Sequence, residues 1–371
     1  MKLDAEGLRK TLKIRNHLKD LSIRSYLKED AAERSRVFLD CSLGVNCLGA
    51  SKKVLQTARA YDWSKIWRYP DPTYADLKEK ISAHWSEWTD LKPEQIQIGH
   101  GASAILEGLY KLIMDPGDRA LGYSPQWVGF RARVEVMGGR YEVVPLHPEE
   151  AFKFNAGRFV SKITAEYSLL LIDNPINPTG QLIPLSEIEE ILIRAKKKGV
   201  AVAVDEAYGD YVENENSAIR FANKFNNLIV IRSFSKGYGL AGMRIGYGVF
   251  EPKLARFYDK IDLPVPVSEF ASSLAITALS DRDFIRGCRK SVLTEKTKLI
   301  KGLIEKGYVI SQTHGSCPIF LLGHKEATLD MKRELLEKGI LTMGGDYYQE
   351  VGKNYVRVSI PKKAEDFFKC L

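Results

Sequence analysis

The 371-residue chain, with 44% hydrophobic and 27% charged side chains, has the composition of a globular protein. It exceeds the usual size of one core, so a large domain plus a smaller one is expected. Its net charge of +8 is spread over lysines such as Lys196, Lys197 and Lys198 and argues against a nucleic-acid partner. Five scattered cysteines (Cys41, Cys47, Cys288, Cys317, Cys370) without C-x-x-C spacing, and six histidines never at i, i+4, argue against a structural metal and for a reducing cytoplasm.

The start, Met1-Lys2-Leu3-Asp4-Ala5-Glu6, lacks the apolar region of a secretory signal, and no apolar run reaches the roughly 20 residues of a membrane span. A cytoplasmic protein without a membrane partner is expected. A charged helical pattern runs to about Arg36 and gives way to the apolar Val37-Phe38-Leu39. This N-terminal stretch is expected to pack against the C-terminal domain.

From about residue 50 to 265, short apolar runs alternate with amphipathic segments, the rhythm of a mostly parallel sheet flanked by helices. The pattern predicts seven strands: Gln95 to Gly99, Arg119 to Tyr123, Tyr141 to Pro145, Ser168 to Asp173, Val200 to Asp205, Leu228 to Arg232 and Gly246 to Phe250. It also predicts helices over Ser103 to Met114 and Ser186 to Lys198, the second opening on a capping box of Ser186 and Glu189. After Leu263-Pro264-Val265-Pro266 come long charged helices and strands at Tyr308 to Ser311, Ile319 to Leu322 and Tyr355 to Ile360. The expected architecture is α/β. A large domain covers 51–265, and a small α+β domain is formed by 1–50 with 266–371.

The chemistry-bearing residues stand where predicted strands run out into loops, the place where open α/β sheets bind ligands. Gly99-His100-Gly101-Ala102-Ser103 leads from a strand into a helix whose free N–H groups can cradle a phosphate, or it is a plain turn. Asn174-Pro175-Ile176-Asn177-Pro178-Thr179-Gly180 is a turn stiffened by two prolines, which would hold an asparagine amide still. Asp205 ends the apolar strand Val200-Ala201-Val202-Ala203-Val204, where a buried carboxylate requires a partner such as a pyridinium nitrogen; a helix N-cap is the alternative. Tyr208 and Asn177 could both reach a phenolic oxygen on the same ring.

Ser233-Phe234-Ser235-Lys236-Gly237-Tyr238-Gly239-Leu240-Ala241-Gly242-Met243-Arg244 places one lysine in a Ser/Gly-rich turn, with an arginine downstream. Read alone it could be a solvated basic loop. Beside the other motifs it suits a cofactor with an aldehyde and a phosphate, pyridoxal 5'-phosphate, with Lys236 as the residue that bonds to the aldehyde.

In this order, N-P-x-N-P-T-G, D-E-A-Y and S-x-S-K-x-x-x-L-A-G-x-R-I-G-Y resemble the motifs of fold type I pyridoxal-phosphate enzymes. The likeness is to the class I/II aminotransferases, in particular their histidinol-phosphate aminotransferase branch, and spans Leu39 to Ile360. The resemblance implies an enzyme moving an amino group between an amino acid and a 2-oxo acid, with Lys236, Asp205 and Tyr208 catalytic. Lys236 would anchor the cofactor and then carry the substrate's α-proton. Gly101, Ala102, Ser103, Ser233, Ser235 and Arg244 would form the phosphate cup, Trp127 would stack on the ring, and Asn177 and Tyr208 would meet its phenolic oxygen. Arg357 would clamp the substrate carboxylate, with Asn46 and Asn177 beside it. Tyr69 would reach the neighbouring active site of a homodimer.

Two departures from that branch concern substrate. The branch usually carries a second arginine in G-I-x-x-R, and Gly339-Ile340-Leu341-Thr342-Met343 has none. Its N-terminal Tyr/Pro/Gly substrate segment is not recognisable either. The run Leu39 through Gly49 is also similar to threonine-phosphate decarboxylases, which makes decarboxylation the alternative reaction. A regulator fused to a DNA-binding domain is disfavoured, because the roughly 40 residues before Leu39 are too few for a winged helix.

Overall fold

The computed structural model describes residues 13–18 and 21–371, so the expectations for Met1 to Glu6 and for the rest of 1–12 lie outside the described residues, as do positions 19 and 20. In chain order the strands are β1 (Leu39–Asp40), β2 (Ile96–Gly99), β3 (Arg119–Ser124), β4 (Arg140–Pro145), β5 (Tyr167–Asp173), β6 (Ala201–Asp205) and β7 (Leu228–Ser233). They continue with β8 (Gly246–Val249), β9 (Val309–Ile310), β10 (Ile319–Gly323), β11 (Ile340–Leu341), β12 (Met343–Gly344) and β13 (Tyr355–Ser359).

The large sheet has the order β2-β8-β7-β6-β5-β3-β4, and β8 is antiparallel to both of its neighbours while the other pairs are parallel. Up to their polar ends its central strands are runs of apolar residues, because both faces are covered. Leu170, Ile172, Val202, Val204 and Val230 point into one hydrophobic cluster with helices Ala75–Trp85 and Leu185–Lys198. The intervening Leu169, Leu171, Ala203, Ile229 and Ile231 point into another, with helices Ala102–Ile113 and Val128–Val136. Parallel pairing puts the carboxyl ends of β3, β5, β6 and β7 on one edge, and that edge carries the predicted motifs.

A second sheet, β12-β13-β10-β9, is antiparallel and packs with the 24-residue helix Arg282–Glu305 in a third cluster. The N-terminal segment joins this region through β1, which pairs parallel with β11 in the register Leu39↔Ile340.

Two local expectations are corrected. Helix Leu185–Lys198 is N-capped by Pro184, without a side-chain cap bond, so Ser186 lies inside the first turn and forms no capping box. The fixed φ of proline already sets the helical entry. The charged pattern before Arg36 yields, among the described residues, only short pieces at Asn16–Leu18, Tyr26–Glu29 and Glu33–Ser35. None of the three has a buried residue, so no apolar face stabilises a longer helix. Among the described residues no helix is long and apolar enough to cross a membrane, and no three His, Cys, Asp or Glu side chains group as metal ligands.

Candidate active site

A cavity of about 460 Å³ opens at the carboxyl ends of β3, β5, β6 and β7. Of the predicted residues it gathers Ala102, Ser103, Trp127, Asn177, Asp205, Tyr208, Ser233, Ser235, Lys236, Arg244 and Arg357. They come from separate segments that follow different strands, so only the assembled sheet brings them together.

Lys236 sits just past β7, and its Nζ donates to the Leu43 carbonyl at 3.0 Å. Burial, then the Arg357 and Arg244 cations, push its pKa down to about 7. A neutral amine is the form that can bond to an aldehyde. Asp205, at the end of β6, accepts the Ala207 N–H at 2.9 Å, so it caps a local turn as well as facing the cavity. Burial, then the Asp173 carboxylate, push Asp205 up to about 7. Tyr208 is 3% exposed, its hydroxyl is a buried atom with no hydrogen-bond partner, and burial pushes its pKa up. The Lys236 Nζ stands 5.5 Å from the Tyr208 ring centre. Gly44, at φ +64°, leaves room for this ring, since a Cβ there would lie 2.2 Å from the hydroxyl.

Helix Ala102–Ile113 starts with Ala102 and Ser103 at the cavity wall, where its N-terminal N–H groups are free of helical partners. Gly101 lies outside the wall but admits Arg244. Its φ is +92°, and a Cβ would approach the Arg244 Nη2 to 2.6 Å. Arg244 donates to Ser235 Oγ at 3.4 Å and to the Ala241 carbonyl at 3.0 Å, and Ser233 Oγ accepts the Ser235 N–H at 3.1 Å. Two hydroxyls, a guanidinium and a helix start make an anion cup.

Arg357, in β13, is 1% exposed and reaches in from the second sheet. Its Nη1 donates to Asn177 Oδ1 at 3.1 Å, its Nη2 donates to the Ser42 carbonyl, and its Nε is unpartnered. A buried guanidinium without a carboxylate partner suits a carboxylate ligand.

Besides Gly101, two predicted residues, Asn46 and Tyr69, do not line this chain's own cavity. The Asn46 amide is committed elsewhere: it donates to the Gly237 carbonyl at 2.7 Å and to Cys288 Sγ at 3.3 Å, and accepts the Leu48 N–H at 2.9 Å. Its neighbours Leu43 and Val45 line the cavity in its place. Tyr69 is 87% exposed in a surface segment with Trp63, Ile66 and Trp67.

Several wall residues escape sequence reasoning. Asp173, 3% exposed at the end of β5, accepts from the Tyr123 hydroxyl at 2.5 Å, the Asn177 N–H at 2.9 Å and the Trp127 N–H at 3.4 Å. It ties the loop carrying Trp127 to the turn carrying Asn177. Its signal is the same as that of Asp205, an acid ending an apolar strand, and β5 and β6 pair these two residues in register. Tyr26 and Leu27 also line the cavity, with the Tyr26 ring centre 5.4 Å from the Arg357 Cζ.

The family model of the class I and II aminotransferases matches residues 38–366. The histidinol-phosphate aminotransferase of Methanocaldococcus jannaschii is 29% identical over 83% of this chain and 81% of its own length. A protein of Caldanaerobacter subterraneus subsp. tengcongensis, provisionally named a threonine-phosphate decarboxylase, is 30% identical over 88% of this chain and 86% of its own. Among solved structures, histidinol-phosphate aminotransferase from Sinorhizobium meliloti in complex with pyridoxal 5'-phosphate superposes with a TM-score of 0.82. The superposition covers 96% of this chain and 95% of that one at 21% identity, which establishes the shared fold. With a family match spanning both sheets and the loops between them, the chain belongs to the class I and II aminotransferases.

Proposed function

We propose that this aminotransferase holds pyridoxal 5'-phosphate in the cavity around Lys236 and moves an amino group between an amino acid and a 2-oxo acid. The residues present fit that cofactor. The partnerless Tyr208 hydroxyl suits its phenolic oxygen, the Asp205 carboxylate its ring nitrogen, and the Arg244 and serine cup its phosphate. When bound, the cofactor supplies an aldehyde and an electron-accepting ring.

The chain's own groups do the rest. Lys236, its pKa lowered toward neutrality by burial, would be the amine that holds the aldehyde and afterwards the group placed to carry the substrate's α-proton. Asp205 keeps a proton at the ring nitrogen, Tyr208 and Asn177 hold the phenolic oxygen, and Trp127 covers the ring face. Arg357 takes the substrate carboxylate through a paired contact and so fixes which bond at the α-carbon faces the ring. The observation that carries the reading is the meeting of Lys236, Asp205 and Arg357 in one cavity, although they come from β7, β6 and β13.

The proposed division of labour has 51–265 form the cofactor-binding domain and 1–50 with 266–371 form a small domain that brings Arg357, with helix Glu269–Leu279 packing into the large domain's cluster. A homodimer is part of the reading. The exposed run Trp63, Ile66, Trp67 and Tyr69 suits burial against a second copy, with Tyr69 reaching the neighbouring phosphate cup. All five cysteines are free, which suits a reducing cytoplasm.

Borohydride treatment of the purified protein followed by peptide mass analysis tests the assignment. Reduction should fix the cofactor's mass on the peptide carrying Lys236, and Lys236→Ala should carry no adduct and show no turnover. An adduct on another lysine contradicts the assignment. The relative named for decarboxylation favours one second reading, in which the substrate's carboxylate faces the ring and carbon dioxide is released.

A further inference from the structure

We infer that the amino donor of this enzyme carries an uncharged, apolar side chain; the inference rests on the amino-transfer reading and names its substrate class. Among the described residues the cations lining the cavity are Lys236, Arg244 and Arg357. Each has a place already: Lys236 at the reacting carbon, Arg244 beside the Ser235 hydroxyl in the phosphate cup, and Arg357 at the substrate carboxylate. A second anionic group on the substrate would find none of them free.

The strand beside Arg357 reinforces this. The register of β12 and β13 pairs Met343 with Arg357, so Met343 is the position from which another cation could join Arg357. Met343 is 1% exposed, and its sulfur accepts the Tyr348 hydroxyl at 3.2 Å. Arg24, close by on the N-terminal segment, is committed to Asp346 at 2.8 Å and Glu29 at 3.1 Å, with its guanidinium 4.0 Å from the Tyr347 ring centre. An anion brought into the cavity beyond Arg357 would lose water without gaining a counter-charge from the described residues of this copy.

The opposite property is present at the cavity wall. Leu27 and Val45 line it while remaining 54% and 41% exposed, and Leu43 and Tyr26 stand with them. A ligand side chain seated there removes apolar area from water on both partners. An aromatic or branched aliphatic side chain uses this wall, whereas a carboxylate or phosphate does not.

Equilibrium binding of unreactive carboxylates to the holoenzyme, followed by titration calorimetry, separates the possibilities. Hydrocinnamate and 4-methylpentanoate should bind at least about tenfold more tightly than glutarate or 3-phosphonopropanoate. Leu27→Arg, at an exposed position, should narrow that gap by supplying the missing cation. Equal or tighter binding of the dianions, no binding of any of the four, or a gap unchanged by Leu27→Arg would overturn the inference. If hydrocinnamate binds but no amino acid yields a 2-oxo acid, the amino-transfer reading fails and the side-chain class stands.

Discussion

Asp173 and Asp205 are register partners on neighbouring strands, two buried carboxylates at the rim of one cavity. Burial pushes Asp173 up to about 6, and burial with the Asp173 charge pushes Asp205 up to about 7, from an ordinary value of 3.8. A carboxyl raised in this way keeps its proton in the folded protein after the unfolded chain has lost it. Its stabilising contribution is therefore whole below the unfolded pKa and is lost as pH rises through the folded one. Asp205→Asn removes that loss. In the cofactor-free protein the variant should gain thermal stability relative to wild type as pH rises from about 5 to about 8. A difference in melting temperature that stays flat across that window would show that Asp205 is not raised. Bound cofactor should reverse the comparison, because a pyridinium nitrogen favours the charged carboxylate that asparagine lacks.

At the scale of elements, the small sheet is joined to the active-site turn through a buried lysine. Lys296, on helix Arg282–Glu305, is 1% exposed and donates to Thr313 Oγ1 at 2.6 Å and to the carbonyls of His314, Cys317 and Ile319 at 2.9, 2.8 and 2.9 Å. The loop it gathers touches the turn carrying Asn177, because the His314 N–H donates to the Gly180 carbonyl at 2.9 Å. Burial lowers the Lys296 pKa to about 8, but four oxygen acceptors keep an ammonium worth burying at neutral pH. Lys296→Met keeps the length of the side chain and strands those acceptors. It should lower unfolding free energy by at least about 2 kcal/mol in urea melts. An unchanged midpoint would mean the loop is held by its other contacts.

The same scale explains what could be read in advance. The strands ending in Asp173, Asp205 and Ser233 announce themselves as apolar runs that stop at polar residues, and burial on both faces is the reason. Lys236, Asp205 and Asn177 were legible because they stand at or just past the end of such a run, and Arg244 because it follows Lys236 in the same motif. The two-residue strands β11 and β12 carry too few residues for periodicity, so the Met343–Arg357 pairing became visible only with the sheet. Tyr26 and Leu27 belong to a four-residue helix with no buried residue, and what brings them to the cavity is the docking of the segment. Arg24, Glu29 and Asp30 make that docking through Asp346, Tyr347 and Lys332, contacts about 300 positions away in sequence.

At the scale of the molecule, the proposed site is shared with a second copy. Trp67 is 75% exposed and Ile66 69%, beside a tyrosine assigned to a neighbouring active site. In the proposed homodimer this run would be buried and the two phosphate cups completed together. Trp67→Asp should move the protein toward monomer in sedimentation runs and weaken cofactor retention by about tenfold or more, since Tyr69 leaves with the interface. A Trp67→Asp protein that becomes monomeric with undiminished retention would separate Tyr69 from the cofactor.

Amino transfer at Lys236 can be followed in a single-turnover experiment. Holoenzyme mixed with excess phenylalanine, with no 2-oxo acid present, should yield one 2-oxo acid per active site, leave the amino group on the cofactor and release no carbon dioxide. An amine with an equal amount of carbon dioxide would contradict the claim, and so would 2-oxo acid formed at an undiminished rate by Lys236→Ala.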